Sequence, residues 1–458
     1  MLLEIVVLAA GQGTRMRSSL SKVLHPIGGR PMLQRVIDAA KTLDPSRIHV
    51  VTRPDAVQIR ELINEPVSWV NQNEQLGTGH AVAQAMPGIA EGATVLVLFG
   101  DVPLVNPETI RRCAEVATQG QLCVVTARFS DPAELGRIVR GIDGNIERIV
   151  EFKDANPAER KIDEINSGII AAPRQLMASF FATMTNHNAQ NEYYMTDIVP
   201  HASAQGITVV GVRAGSEVEV AGVNNRAQLA EVERAWQQAR AGELMLAGVT
   251  LADPARFDLR GNLTVGKDVF IDINCVLRGE VDLGDDVSIG PNVTITNSRI
   301  GSGVRVEPNT VIDGAVIEAN CVIGPFARIR PGSQLAEGVH IGNFVETKKA
   351  RLGKGTKANH LAYLGDTAVG AGCNIGAGTI TCNYDGFAKH HTEIGNGVFV
   401  GSNATLVAPV ELADDSFVAA GSTVTSKVEV GDLAVGRGKQ RNIKGWTPPH
   451  RRAARQKE

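Results

Sequence analysis

The chain has 458 residues, 43% of them hydrophobic and 21% charged, with a formal net charge of −3. That length exceeds one ordinary domain, and the apolar share is enough for more than one core. The small net charge gives no global pull toward nucleic acid or anionic membrane, and no run of about 18 apolar residues indicates a membrane span.

The start, through Ala10, is apolar but lacks a basic leader and runs into a Gly-rich turn. It reads as a buried first strand, not a signal peptide. Strands are expected at Ile5–Ala9, Ile48–Thr52, Val95–Phe99, Leu122–Ala127 and Ile207–Val212. Helices are expected at Pro31–Leu43, Pro107–Thr118 and Thr196–Ala204. This alternation argues for a doubly wound α/β domain over residues 1–224. Asn225–Ala247 has helical composition, with Gly242 as its weak point, and suggests a helical arm within 225–250.

Residues 251–458 follow another rule. An aliphatic residue recurs every sixth position at Val265, Ile271, Leu277, Leu283, Ile289 and Ile295, resumes in shifted phase from Ile300 to Ile341, and returns from Ile394 to Val424. Period six fits neither a helix nor a simple strand; it fits a parallel β-helix, each hexapeptide giving one short strand and a turn. The repeat is interrupted around Lys348–Arg351, Lys357–Tyr363 and Thr381–Lys389, where loops on a binding face are expected. The tail from Arg437 is basic and includes Arg455 and Lys457; it is either a solvated end or a functional one. Six cysteines without paired spacing fit a reducing cytoplasm.

The chemistry-bearing residues cluster at strand ends. Leu8-Ala9-Ala10-Gly11-Gln12-Gly13-Thr14-Arg15-Met16 follows the first strand. Such a turn lets backbone N–H groups cradle phosphate oxygens, although Gly-rich turns are common. It is neither a Walker A nor a clean G-x-G-x-x-G. Lys22 is near enough to serve the same phosphates. Phe99-Gly100-Asp101 ends an apolar strand, where α/β domains bind ligands. A carboxylate there suits Mg²⁺, or serves as a turn residue before Pro103.

Taken together, Leu8–Met16, Ser21–Leu24, Gln75–His80, Gly100–Pro103, Glu164–Gly168, Asn191–Asp197 and Gly222–Arg226 resemble the sugar-nucleotide pyrophosphorylases. Over nearly the whole chain the resemblance is to the bacterial bifunctional N-acetylglucosamine-1-phosphate uridylyltransferase/glucosamine-1-phosphate N-acetyltransferase family. It implies a Rossmann-like nucleotidyltransferase domain, then a left-handed parallel β-helix that assembles as a homotrimer. It implies two reactions: acetyl transfer from acetyl-CoA to glucosamine 1-phosphate, then uridylyl transfer from UTP to N-acetylglucosamine 1-phosphate. The small-molecule partners are those four compounds, the cofactor is Mg²⁺, and the enzyme is expected in the cytoplasm.

Carried over by motif, Arg15 and Lys22 would act on the UTP phosphates. Leu8, Ala9, Ala10, Gly11, Gln72, Gly77, Thr78, Phe99 and Gly100 would bind the nucleotide. Gly136, Glu151, Asn166 and Thr196 would bind the amino sugar, and Asp101 and Asn224 the metal. His360 would be the general base for acetyl transfer, suited by an imidazole that titrates near working pH. Asn374 would orient or stabilise the oxyanion. Arg330, Lys348, Tyr363, Asn374 and Lys389 would bind glucosamine phosphate. Ala377, Asn383, Tyr384, Ser402, Ala420 and Arg437 would bind acetyl-CoA. The thioester is already reactive, so no enzyme nucleophile is needed, and Cys382 has no sequence neighbour that would activate it. Gln12 and Ala221 depart from the family pattern, which expects a basic residue and a Glu there. Two other readings are a nucleotidyltransferase that uses the β-helix only as an oligomerisation scaffold, and a regulatory paralogue. His360 and Asn374 speak against the first; Arg15, Lys22 and Asp101 speak against the second.

Overall fold

The computed structural model describes residues 2–449 and 451–452; Arg455 and Lys457 of the basic tail lie outside them. The chain divides into two compact units, one of Met1–Gly242 with Leu259–Gly261, the other of Glu243–Asp258 with Asn262–Glu458. Among the described residues, no helix is long and apolar enough to cross a membrane.

The first unit is a nine-stranded sheet covered on both faces. Its strands are β1 (Leu3–Leu8), β2 (Arg47–Thr52), β3 (Ser68–Asn71), β4 (Thr94–Phe99), β5 (Leu122–Arg128), β6 (Arg137–Arg140), β7 (Ile146–Val150), β8 (Glu164–Pro173) and β9 (Val209–Arg213). The main path runs β9-β5-β8-β4-β1-β2-β3, with β8 antiparallel and the β6–β7 hairpin appended. Nearly all of β1 is buried because parallel partners flank it and helices cover both faces. Its alternate residues enter opposite layers. Ile5 and Val7 pack with α1 (Met32–Lys41) and α4 (Pro107–Thr118). Val6 packs with α3 (Thr78–Ala85), α5 (Arg174–Phe181) and α6 (Ile198–Ala204); the short α2 (Val57–Leu62) lies in the connection between β2 and β3. The α4 start was legible: Asn106 accepts the Glu108 N–H at 2.9 Å, and Pro107 takes the first helical position. Helix α7 runs from Arg226 to Leu246 without a break at Gly242.

The second unit is the expected parallel β-helix. Its inward aliphatics stack at intervals of one coil: Ile271, Ile289, Val306, Ile323 and Ile341 follow one another in register. Of the aliphatic positions named above, those from Ile271 onward are buried. The phase shift at Ile300 is not an inserted loop. The strand Thr294–Ile300 runs straight through, and the corner is one residue shorter.

The expected interruptions need correction. Glu346–Leu352 and Lys357–His360 are in-register strands, so Lys348–Arg351 and Lys357–Tyr363 stay within the coils. The aliphatic signal fades because Ala and Thr replace Ile and Val inside. Thr356, Thr367 and Thr381 are fully buried. Their hydroxyls donate to the carbonyls of Gly370, Thr392 and Gly365 at 2.6, 2.9 and 3.1 Å, as buried hydroxyls must. One true extrusion remains, after Cys382. Thr367 pairs with Thr392, so this coil is longer than its neighbours.

Candidate active sites

In the first unit, β1 ends at Leu8 beside the end of β4 at Phe99. The chain leaves β1 toward β2 and returns on its other side at β4. A crevice opens where strand order reverses in this way. A cavity of about 280 Å³ lies there, lined by Leu8, Ala9, Ala10, Gly11, Lys22, Gln72, Gly77, Thr78, Phe99 and Asp101, together with Val23, Gln75, Ala81 and Glu192. Gly100 backs it, its N–H donating to the Leu8 carbonyl at 2.9 Å. The Lys22 ammonium contacts the Asp101 carboxylate and donates to Asn224 Oδ1 at 3.1 Å. Asp101 and Asn224 thus aim two hard oxygens at one cationic group, oxygens of the type a magnesium ion takes alongside phosphate and water; among the described residues no group of three or more His, Cys, Asp or Glu is placed to hold a metal. The Val223 N–H, bonded to the Asp101 carbonyl at 2.9 Å, ties the Asn224 segment to this strand end. Arg15 is exposed on the turn Thr14–Met16 and does not line the cavity. Gln12, one of the two departures, donates to Gln75 Oε1 at 3.0 Å.

Gly136, Glu151, Asn166 and Thr196 form a second group. Thr196 donates to the Glu151 carboxylate at 3.3 Å, and the Asn166 N–H donates to the Gly136 carbonyl at 2.9 Å. A Cβ on Gly136 would come within 3.3 Å of the Glu151 carboxylate. Burial pushes the Glu151 carboxyl above its ordinary range, with smaller pushes from Asp154, Asp197 and Glu192 against the Thr196 hydrogen bond. None of the four lines the cavity, but the turn after Asn166 packs on Phe99, which does. A Cβ on Gly168 would lie 2.6 Å from the Phe99 ring.

In the second unit, backbone register builds one corner column. Asn343 pairs with His360. The next coils continue it through Ala377, Ser402 and Ala420, as the pairings Asn374↔Phe399 and Phe399↔Phe417 carry it forward. Arg437 closes the column by donating to the Ala420 carbonyl at 2.7 Å. His360 is exposed, and its Nδ1 lies 2.9 Å from Asn343 Oδ1. Asn374 sits before this corner, paired with Lys357.

The adjoining face carries the cations. Register sets Arg330 alongside Lys348, and Tyr363 beside Glu346. Glu346 accepts from Arg330 at 2.7 Å. The neighbouring Lys348 ammonium holds Lys389 below the ordinary lysine range. A phosphate placed between those ammonium groups would turn their repulsion into attraction. Asn383 and Tyr384 stand apart from the column. Asn383 donates to Asp366 Oδ2 at 2.5 Å, and the Tyr384 hydroxyl to the Gly386 carbonyl at 2.7 Å.

Sequence reasoning did not name Asn343, Val23, Ala81 or Glu192 as site residues. Glu192 lay within a motif used for the resemblance, whereas Asn343 carried no signal of its own.

Profiles of known families match in the same two halves. A MobA-like NTP transferase domain matches residues 5–162, a GMPPB C-terminal domain residues 259–352, and a bacterial transferase hexapeptide (six repeats) residues 391–426. The bifunctional protein GlmU of Marinobacter nauticus is 51% identical over 448 residues, covering 98% of this chain and 99% of that protein. Its counterpart from Pseudomonas entomophila is 52% identical over 452 residues, with the same coverage. That from Cellvibrio japonicus is 51% identical over 453 residues, covering 99% of this chain and all of that protein. With two unlike transferase folds in one chain and identity of this level along its whole length, the chain belongs to the family of bifunctional GlmU proteins.

Proposed function

We propose that the two sites of this bifunctional transferase act in sequence on one sugar. The β-helix acetylates glucosamine 1-phosphate from acetyl-CoA. The α/β unit then transfers uridylyl from UTP to N-acetylglucosamine 1-phosphate, giving UDP-N-acetylglucosamine and pyrophosphate. The observation that carries this reading is what occupies the corner column, an exposed imidazole at His360, small side chains at Ala377, Ser402 and Ala420 and the Arg437 guanidinium at its end, since a mere scaffold needs no such set of side chains.

In the acetyl step the glucosamine amine attacks the thioester carbonyl. A C–N bond forms, the C–S bond breaks, and coenzyme A leaves as thiol. His360 takes the amine proton, and Asn374 stabilises negative charge on the carbonyl oxygen. Lys348, Lys389, Arg330 and Tyr363 hold the sugar phosphate. Small residues at 377 and 420 leave room for the pantetheine arm beside Ser402, and Arg437 meets the coenzyme's phosphates. Asn383 and Tyr384, which stand apart from the column in this chain, would meet acetyl-CoA bound on a neighbouring subunit.

In the uridylyl step an oxygen of the sugar phosphate attacks the α-phosphorus, and the bond to the β-phosphate breaks. Backbone N–H groups around Gly11, with Arg15 and Lys22, hold the triphosphate, while Gln72, Gly77 and Thr78 hold the uracil. Gly136, Glu151, Asn166 and Thr196 receive the acetamido sugar. Asp101 and Asn224 would hold Mg²⁺, which supplies neutralisation of phosphate charge when bound. The hexapeptide unit supports a homotrimer, with the loop Thr381–Thr392 reaching a neighbour; Phe387 at its tip is 99% exposed. Both nucleotide-containing substrates are cytoplasmic metabolites, which puts the enzyme in that compartment.

The test is a paired assay. His360→Ala is expected to abolish CoA release from acetyl-CoA plus glucosamine 1-phosphate while leaving pyrophosphate release from UTP plus N-acetylglucosamine 1-phosphate intact; Asp101→Ala is expected to do the reverse. Equal loss of both half-reactions in either variant would sink the two-site reading.

A further inference from the structure

We infer that Asn343 is a positioning residue for acetyl transfer: its side-chain oxygen accepts a hydrogen bond from His360 Nδ1–H, which keeps the proton on Nδ1 and leaves Nε2 as the basic nitrogen. The inference rests on the reading of His360 as general base. A neutral imidazole carries its proton on one nitrogen only, and the hydrogen bond at that nitrogen decides which one. The 2.9 Å contact from Asn343 Oδ1 to Nδ1 supplies that bond.

The β-helix leaves the ring few other partners. Asn343 and His360 are register partners in adjacent coils, and Ala377 occupies the corner in the following coil. Ala377 has no polar side-chain atom, so Asn343 is the coil neighbour at this corner able to orient the imidazole. The grip is double, because the Asn343 carbonyl also accepts the Leu361 N–H at 3.0 Å.

A second observation marks the same corner. The residues just after Asn343 and His360 are Phe344 and Leu361, with φ of +57° and +51°. Other coils fill this corner position with Asn292, Asn309 and Asn403, a residue that tolerates the left-handed region, and the coil before Asn343 fills it with Phe326, whose ring stacks on Phe344 at 5.4 Å between centroids. Bulky apolar residues there are strained; the Phe326 stack accounts for Phe344, which leaves Leu361, directly after His360, as the position whose strain marks the site. Leu361 is 61% exposed, so burial does not explain it.

The strands around His360 carry two other titratable groups, His340 on the Asn343 strand and Lys357 on its own strand; Asn374 on the third is neutral. Neither replaces the contact at Nδ1, and both stay unchanged in the variants below.

The experiment uses the full chain, with CoA release measured against pH and pyrophosphate release as the internal control for folding. Asn343→Leu keeps the volume and removes the acceptor. It is expected to lower kcat for acetyl transfer by at least about tenfold, within the roughly 10²–10⁴-fold that a general base supplies in full. KM values and uridylyl transfer are expected to stay close to those of the unsubstituted chain. Asn343→Asp keeps an acceptor and offers no donor. It is expected to retain acetyl transfer and to move the acid limb of the pH profile upward, because a carboxylate stabilises the imidazolium. A normal kcat and pH profile in Asn343→Leu would overturn the inference. So would a folded but inactive Asn343→Asp, which would mean that the amide donates to Nδ1. If Asn343→Leu does not fold, the pH profile of Asn343→Asp decides alone. His360→Ala separates the two readings: if it remains active the base assignment fails, and if it is inactive while Asn343→Leu is normal only the positioning role fails.

Discussion

Gly376→Ala is a one-carbon change whose effect follows from the coil geometry. Gly376 lies between Ile375, which points into the β-helix, and Ala377 at the corner that His360 shares. A Cβ at this position would lie 2.5 Å from the Val400 carbonyl oxygen, 2.6 Å from the Ser402 nitrogen and 2.7 Å from the Gly401 carbonyl carbon. All three are backbone atoms of the next coil, so no side chain can swing aside. Ordinary contact begins at 3.4 Å, which leaves the new carbon about 0.9 Å too near its closest neighbour. The coils must part by that order, at the cost of the Gly376 N–H bond to the Val400 carbonyl, now 2.8 Å. Overpacking of this kind costs about 1–3 kcal/mol. The displacement falls on Ala377 and Ser402 and so shifts acetyl-CoA against His360, and a misplacement near 1 Å costs roughly 10²-fold in rate. CoA release should therefore fall by about that factor, with a lower melting temperature and unchanged pyrophosphate release. Unchanged acetyl transfer in Gly376→Ala would refute the reasoning, because it would show that the coil spacing at Ser402 does not set the geometry of transfer.

Three further outcomes follow from single groups. Lys389 is held low by Lys348, so it loses its proton at lower pH than an ordinary lysine; KM for glucosamine 1-phosphate should climb as pH rises. In Lys348→Met that climb should start at higher pH, from a KM already raised by roughly tenfold or more, as expected for losing a charged hydrogen bond. Glu151 is raised by burial, so its ionisation opposes folding once pH passes the ordinary carboxylate range. Glu151→Gln should raise the melting temperature at pH 7, a gain that vanishes in acid, while weakening N-acetylglucosamine 1-phosphate binding. Gly242 sits inside α7, and a Cβ there meets nothing within 4 Å. Gly242→Ala should stabilise the chain by about 0.5–1 kcal/mol in thermal melts with both activities unchanged.

What the sequence could disclose depended on how local each rule was. A parallel coil needs one inward aliphatic per strand, so Ile271 to Val424 announced the β-helix. The rule failed where Thr347, Ala358 and Thr381 took the places that Ile329, Ile341 and Leu406 hold in neighbouring coils, because a buried hydroxyl or a single methyl does not read as an aliphatic. Hydrophobic period therefore reported a gap where the chain never stopped coiling. In the α/β unit, the Gly11 turn and Asp101 were readable as strand-end chemistry. The Gly136, Glu151, Asn166 and Thr196 group was not, since each belongs to a different segment and only resemblance joined them. The acetyl corner shows the same limit. A constant 18-residue step does not connect its members, because the extruded loop lengthens the coil between Ala377 and Ser402. Backbone hydrogen bonding restores the column after that loop, with Asn403 N–H returning to the Ala377 carbonyl at 2.7 Å. Register, and not spacing, is what aligns His360 with Arg437, and it also places Asn343, an ordinary corner residue by sequence, against the imidazole.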